Sequence, residues 1–199
     1  MNSSEILQKT QAYIHQTFSG EGTGHDYFHI ERVVKTVKRL AKEENADEFL
    51  VELAAWLHDL GDAKLHGGVD KSEGLIGEFL NELKVPNEIT EKVIEIVSQV
   101  SFNKGNPATS LEAQIVQDAD RLDAIGAIGI ARCFAYGGNK EREIWNPENP
   151  EMTTVQHFYD KLLKLKDLMN TETAKKIAEE RHRFLEEFLE RFYDEWEGA

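Results

Sequence analysis

The sequence predicts an all-α protein. Over almost the whole length of the 199-residue chain, apolar residues recur at spacings of three and four, the periodicity of helices that bury one face. No segment alternates apolar and polar residues as a strand would, and we find no internal repeat. The length suits one domain with a full hydrophobic core, so we expect a single domain over residues 1–199.

Capping residues divide the first hundred residues into five expected helices. Asp26 and Asp47 suit the N-caps of the second and third helices, because an aspartate oxygen can accept the amide protons of a first turn. Gly61 is expected to end the third helix, and Pro86 to open the fifth. The five helices cover about residues 4–18, 26–40, 47–60, 71–83 and 86–100.

Three helices are expected in the second hundred residues. Thr109 and Glu112 form a capping box for a helix that contains residues 118–123. Gly126 and Gly129 are expected to lie inside the same helix, where close packing against a neighbouring helix would explain them. The remaining expectations are a structureless stretch over 137–150, a candidate lid or site loop, and helices over about 153–169 and 173–196.

The charge and the cysteine content narrow the class of protein. With 23 basic and 37 acidic side chains the net charge is −14, which disfavours binding to nucleic-acid polymers and anionic membranes. No run of about 18 apolar residues is present. The polar stretch 1–11 lacks the apolar core of a signal peptide, so we expect a cytoplasmic location. Cys133 is the single cysteine and is expected to be a packed core thiol.

Possible metal ligands lie on three of the expected helices. They are His29, the pair His58-Asp59, and three aspartates, 118, 120 and 123. Adjacent side chains on a helix differ by about 100°, so His58 and Asp59 can share one ion only near the helix end. Imidazole and carboxylate together suit a divalent ion such as Mn, Fe, Zn or Mg. Taken singly, a histidine such as His29 is more often structural than a ligand, and the aspartates are equally explained as a solvated acidic face.

The order and the flanking residues resemble a known family. His29, His58-Asp59 and Asp120 follow the H…HD…D signature of the HD superfamily of metal-dependent phosphohydrolases. The segment 24–33 (GHDYFHIERV) is similar to the opening "GHDxxHxxRV" of that family, and 117–127 (QDADRLDAIGA) is similar to the "DADRLDAIGA" segment of its bacterial YedJ/YpgQ-like branch. The resemblance covers most of residues 24–140.

This resemblance implies a helical domain with one divalent metal. The implied ligands are His29, His58, Asp59 and Asp120, with Asp123 as the alternative to the last. Mn²⁺ is the favoured ion, with Mg²⁺, Fe²⁺, Ni²⁺ or Zn²⁺ as alternatives. The metal site would lie in a core of about residues 24–140, and the helices of 153–197 would pack on it.

The resemblance also implies a substrate class. It indicates hydrolysis of a ribo- or deoxynucleoside triphosphate to the monophosphate and pyrophosphate, with Asp62 handling a proton. Ala63 replaces the second acid of the related HDxxED motif, which argues against (p)ppGpp hydrolysis. The alternatives are a nucleoside monophosphate phosphatase and a non-catalytic nucleotide or metal sensor. The cations expected to meet the substrate's phosphates are Lys104, Arg121, Arg132, Lys64 and His66. The oligomeric state is left open.

Overall fold

The structure is a computed structural model that describes residues 1–19, 26–63, 66–100 and 107–199. Within those ranges all regular structure is helical and no strand occurs, so the all-α prediction is confirmed. The α-helices are α1 Ser3–Phe18, α2 Tyr27–Glu44, α3 Glu48–Leu57, α4 Ser72–Glu82, α5 Asn87–Ser98, α6 Leu111–Asp123, α7 Gly126–Asn139, α8 Gln156–Asp160 and α9 Glu172–Trp196. Two 3-10 helices cover Pro150–Met152 and Leu162–Leu168.

The chain divides into two compact units, Met1–Asp120 and Arg121–Ala199. The boundary between them falls inside α6, near its C-terminal end. The expectation of a single domain over 1–199 stays a prediction. None of the helices in the described part of the chain combines the length and the apolar character that a membrane span requires.

The first unit is organised around α3. This helix packs on α1, α2 and α5, and its side chains from Leu53 to Leu57 are all buried. A helix that is apolar on every side is most stable when other helices surround it. The C-terminal end of α3 therefore lies in the interior of the unit, and the next two residues, His58 and Asp59, are buried as well.

Both aspartate caps of the first unit are confirmed. Asp26 accepts a hydrogen bond from the backbone N–H of His29 at 2.8 Å, and Asp47 accepts one from the N–H of Leu50 at 3.0 Å. Each bond satisfies an amide of the first helical turn that has no partner inside the helix. The cap on α2 thus fixes the turn in which His29 lies.

The prediction that Gly61 ends α3 is wrong. The helix ends at Leu57, His58 is its C-cap, and turns follow up to Gly61. Gly61 has φ +88°, and its carbonyl accepts a hydrogen bond from the N–H of Lys71 at 2.9 Å. A Cβ at this position would lie 2.5 Å from the backbone nitrogen of Ser72. The glycine is therefore required by a close backbone crossing beyond the helix.

The capping box predicted from Thr109 and Glu112 is also wrong. The N–H of Ala113 donates instead to the hydroxyl of Ser110 at 3.1 Å, so Ser110 caps α6. Thr109 has a different partner, because its N–H and its hydroxyl both donate to the side-chain oxygen of Gln99, at 2.8 and 3.2 Å.

The single helix predicted through Gly126 is broken. α6 ends at Asp123, and α7 begins at Gly126, which has φ +74°. Within the second unit, the guanidinium of Arg181 donates to the carbonyl of Leu122, which stabilises the C-terminal end of α6. The predicted close packing against a neighbouring helix is found at Gly126, where a Cβ would lie 3.0 Å from the side chain of Arg181 on α9. It is not found at Gly129, where a Cβ would meet the carbonyl oxygen of Ala124 in the preceding turn.

The rest of the second unit packs around aromatic rings. Phe158 and Phe188 stack with centroids 5.7 Å apart, and Phe134 lies 5.9 Å from each. The helix predicted over 153–169 is instead α8 followed by a 3-10 helix, and the stretch predicted as structureless over 137–150 begins with the end of α7. The last helix, α9, is confirmed.

Candidate metal centre

Four polar side chains of the first unit meet where α2, α6 and the residues after α3 come together. His29 Nε2 lies 3.6 Å from Asp59 Oδ2 and 3.4 Å from Asp120 Oδ1. His58 Nε2 lies 3.5 Å from Asp59 Oδ1 and 4.0 Å from the same Asp120 oxygen. The two imidazole rings are nearly perpendicular, with centroids 5.3 Å apart. The side chains of both histidines are almost fully buried, whereas that of Asp120 is 30% exposed.

The end of α3 explains how the adjacent residues His58 and Asp59 can both reach the cluster. His29 is in the first turn of α2, and Asp120 is in the last turn of α6. His58 is the C-cap of α3, and Asp59 already belongs to the turn that follows. Because the backbone leaves the helix between them, the two side chains are not forced 100° apart. This is the geometry that the sequence required for an adjacent His-Asp pair to share an ion.

A backbone carbonyl fixes the tautomer of His58. Its Nδ1 lies 2.7 Å from the carbonyl oxygen of Ala55, and because a carbonyl can only accept, Nδ1 carries the proton. Nε2 then presents its lone pair to the cluster. This atom is buried, and in the described part of the chain no group makes a hydrogen bond to it. The sequence could not reveal this partner, because every residue type has a carbonyl.

The carboxylates and imidazoles of the cluster favour the binding of a cation. Burial alone would raise the pKa of the Asp120 carboxyl, but a hydrogen bond from His29 and the positive charge that His29 and His58 carry when protonated outweigh that effect and hold the pKa at about 2. When an imidazole loses that proton, its buried lone pair and the ionised carboxylate repel each other. A divalent ion between them replaces that repulsion with attraction on both sides.

The spacing of the donor atoms fits such an ion. Three of the described residues, His29, His58 and Asp120, each offer one ligand atom, and these atoms all lie within 4.8 Å of one another. Ligands held at about 2.1 Å are separated by about 3.0 Å at right angles and about 4.2 Å in opposition, which brackets the observed distances. Asp59 lies outside this trio but within 3.6 Å of both imidazoles.

The other aspartates of α6 are not among the ligand atoms that come together. Asp123, the alternative ligand, accepts a hydrogen bond from the guanidinium of Arg132 at 2.8 Å. Asp118 is fully buried and is not a member of the group of ligand atoms found among the described residues. The geometry therefore brings Asp120, rather than its neighbours, to the two histidines.

Asp62 does not lie on a helix with His58. A spacing of four residues would place Asp62 on the same side as His58 in a continuous helix, but α3 ends before both residues. Asp62 is half-buried, and its N–H donates to the carbonyl of Asp59 at 3.1 Å. Its role as a proton acceptor stays a prediction.

The structure gives two of the candidate cations structural partners. The guanidinium of Arg121 donates to the carbonyl of Leu168, and that of Arg132 pairs with the carboxylate of Asp123 and bonds its carbonyl at 3.2 Å. His66 is half-buried after the turn that follows Asp62. Lys64 and Lys104 lie outside the described residues. Contact of any of the five with substrate stays a prediction.

Comparisons with known proteins find relatives over nearly the whole chain. The HD domain family model matches residues 26–125. The YpgQ protein of Bacillus subtilis strain 168 is 39% identical over 193 residues, which cover 95% of this chain and 93% of that protein. The crystal structure of Bacillus subtilis YpgQ in complex with ADP has a TM-score of 0.84 at 36% identity, covering 96% of this chain and 98% of that one. A crystal structure of an HD-superfamily hydrolase from Bacillus thuringiensis has a TM-score of 0.84 at 42% identity and covers 100% of both chains.

Proposed function

Because this chain belongs to the HD domain family, we propose that it is a metal-dependent phosphohydrolase that acts on nucleotides. The favoured reaction converts a ribo- or deoxynucleoside triphosphate to the monophosphate and pyrophosphate. The observation that carries the proposal is the cluster of His29, His58 and Asp120, whose ligand atoms all lie within 4.8 Å of one another, with Nδ1 of His58 bonded to a carbonyl and its Nε2 left to face the cluster. The HD fold and its hydrolase relatives supply the reaction class.

We assign His29, His58, Asp59 and Asp120 as the residues that would hold the metal, with Mn²⁺ as the favoured ion. When bound, a divalent metal polarises a phosphoryl oxygen and lowers the pKa of a water ligand. The protein's own contribution is to hold the donors in place before the substrate arrives. Three of the four are at least nine-tenths buried, so little rearrangement is needed.

The remaining roles follow from charge. Asp62, in the turn after the metal pair, is placed in this proposal to accept the proton of the attacking water at its carboxylate. Lys64, His66, Lys104, Arg121 and Arg132 are the proposed contacts to the phosphates. A chain with net charge −14 repels a nucleotide at long range, so local cations and the metal must supply the attraction.

The nucleotide class rests on a relative. Bacillus subtilis YpgQ was crystallised in complex with ADP, and this chain is similar to that structure over 96% of its length. A site that admits a nucleoside diphosphate there supports a nucleotide substrate here.

The test is a panel of nucleotides incubated with purified protein and Mn²⁺, with the products separated by chromatography. We expect triphosphates to yield monophosphate and pyrophosphate in equal amounts, and the activity to disappear when a chelator removes the metal. Release of inorganic phosphate from monophosphates would instead support the phosphatase alternative. Metal-loaded protein that leaves the whole panel intact would contradict the proposal and leave the sensor alternative.

Asp62→Asn tests the proton acceptor. The amide keeps the size of the side chain but cannot take up a proton, so we expect the metal content to stay the same and kcat to fall about 10²- to 10⁴-fold. Asp70→Asn is the matched control, because it makes the same change in the same loop and the amide oxygen can still accept the hydrogen bond from the N–H of Ser72. Equal kcat values for the two variants would remove Asp62 from the mechanism.

A further inference from the structure

A buried polar network joins the end of α5 to α6 in the first unit. Gln99, the C-cap of α5, accepts two hydrogen bonds from Thr109 at its side-chain oxygen. Its backbone carbonyl accepts a third from the side-chain amide of Gln117, at 2.7 Å. Gln117 lies in the middle of α6 and is 2% exposed.

The other buried side chains around Gln117 hold α6 in a different way. Ile115, Val116 and Ala119 are fully buried, and their apolar contacts resist separation of the helices. Such contacts have no preferred direction, so they tolerate small rotations and slides. A hydrogen bond tolerates only a few tenths of an ångström and a narrow angle. The bond from Gln117 to a backbone carbonyl therefore fixes both the rotation and the axial level of α6.

This bond acts one helical turn from Asp120. Residues three apart lie on the same side of a helix, separated by about 60° and about 4.5 Å along the axis. A rotation of α6 by about 20° would move a carboxylate about 6 Å from the axis by about 2 Å. That displacement is large compared with the 3.4 and 4.0 Å that separate the Asp120 oxygen from the two imidazoles.

We propose that Gln117 is a positioning residue of the metal centre: its hydrogen bond to the Gln99 carbonyl sets where Asp120 meets His29 and His58. This inference rests on the proposed metal binding but not on the identity of the substrate. In this proposal the amide acts through the placement of α6, since its hydrogen bond goes to a backbone carbonyl at the end of α5. Burying an amide without a hydrogen bond lowers the stability of the fold, and the bond to the Gln99 carbonyl offsets that desolvation penalty.

Gln117→Met is the first test variant. Methionine keeps the length of the side chain and its helix propensity but removes the donor. Gln114→Met is the matched control, because it makes the same change one turn further from Asp120 and also removes a bond to a backbone carbonyl, that of Ala108 at 3.3 Å. The dissociation constant for Mn²⁺ and the visible spectrum of the Co²⁺-loaded protein are measured without nucleotide, at a temperature where both variants are fully folded.

We expect the Mn²⁺ dissociation constant of Gln117→Met to rise between 10- and 100-fold, as it does when a group that orients a metal ligand is lost. Its Co²⁺ spectrum should change in band position or intensity, because these report the ligand geometry. Gln114→Met should stay within twofold of the wild type and keep the wild-type spectrum.

A lower unfolding temperature for Gln117→Met with unchanged affinity and spectrum would overturn the proposal, since a merely structural residue behaves in that way. Should this variant not fold, Gln117→Asn, which withdraws the donor by one methylene, is measured in its place with the same expected result. Wild-type protein that binds Mn²⁺ but hydrolyses no nucleotide would refute the proposed function and leave this comparison intact. Wild-type protein that binds no divalent ion would refute both.

Discussion

We expect His58→Leu to fold, to bind no divalent metal and to lose nucleotide hydrolysis. Leucine fills most of the volume of the imidazole but removes the lone pair that faces Asp59 and Asp120. Loss of several kcal/mol of transition-state stabilisation from the metal corresponds to a fall in kcat/KM of at least about 10³-fold. Metal content by elemental analysis and turnover of the preferred nucleotide are the two measurements.

The folded state of this variant is itself informative. Replacing a buried polar group that lacks its cation by an apolar one is often neutral or stabilising. We therefore expect the metal-free His58→Leu protein to unfold within about 1 kcal/mol of the metal-free wild type. His182→Leu is the matched control, because His182 lies on α9, is not one of the proposed ligands and pairs with Glu186 at 3.3 Å. Stoichiometric metal and normal turnover in His58→Leu would contradict the assignment.

The second large effect is on stability. Gly61→Ala places a methyl group 2.5 Å from the backbone nitrogen of Ser72, at a residue with φ +88°. The left-handed conformation costs about 1–2 kcal/mol with a side chain, and the overlap with backbone atoms, which cannot rotate away, adds about 1–3 kcal/mol. We expect a loss of about 3 kcal/mol in the free energy of unfolding, or on the order of 10 °C in Tm.

A second glycine of the same segment separates the two causes. Gly67 also has a positive φ, +66°, but among the described residues, apart from its neighbours in the chain, no heavy atom lies within 4 Å of the position its Cβ would take. Gly67→Ala should therefore lose only about 1 kcal/mol. Denaturant unfolding of both variants, in the presence of a chelator, gives the comparison. Equal losses would show that the close crossing at Ser72 contributes nothing.

The family could be assigned from the sequence without the structure. The ordered ligands and their flanking residues led to the HD domain family, and the family model and the relatives agree. The network around Gln117 could not be read in this way. Gln99 and Gln117 are 18 residues apart on different helices, and one of the two partners is a backbone carbonyl.

Features governed by local contacts were predictable. Asp26 and Asp47 cap their helices by accepting hydrogen bonds from amides three residues away, so both partners of each bond lie close together in the sequence. Thr109 and Ser110 are equally good caps by the same criterion. The side chain of Gln99 decided between them, because it engages Thr109 and leaves Ser110 to accept from Ala113.

The breaks in the second half of the chain depended on distant partners. Arg181 reaches the carbonyl of Leu122 from 59 residues away, at the end of α6. Periodicity alone continued that helix through Gly126 because the apolar spacing does not change there. Likewise, the apolar residues of 153–169 recur at spacings of three and four, which fits one helix. The structure has α8 and a 3-10 helix instead, and Phe158 of α8 stacks on Phe188 of α9.

The sequence by itself determined the all-α class, the first-turn caps and the order His29, His58-Asp59, Asp120, because these depend on local periodicity, capping and motif. Tertiary structure alone decided that α3 ends at Leu57, so that His58 and Asp59 can face the same point. It also decided that the Ala55 carbonyl holds the proton of His58 away from Asp120. Hydrogen bonds to backbone carbonyls carry no signal in residue type, so only folded coordinates can reveal them.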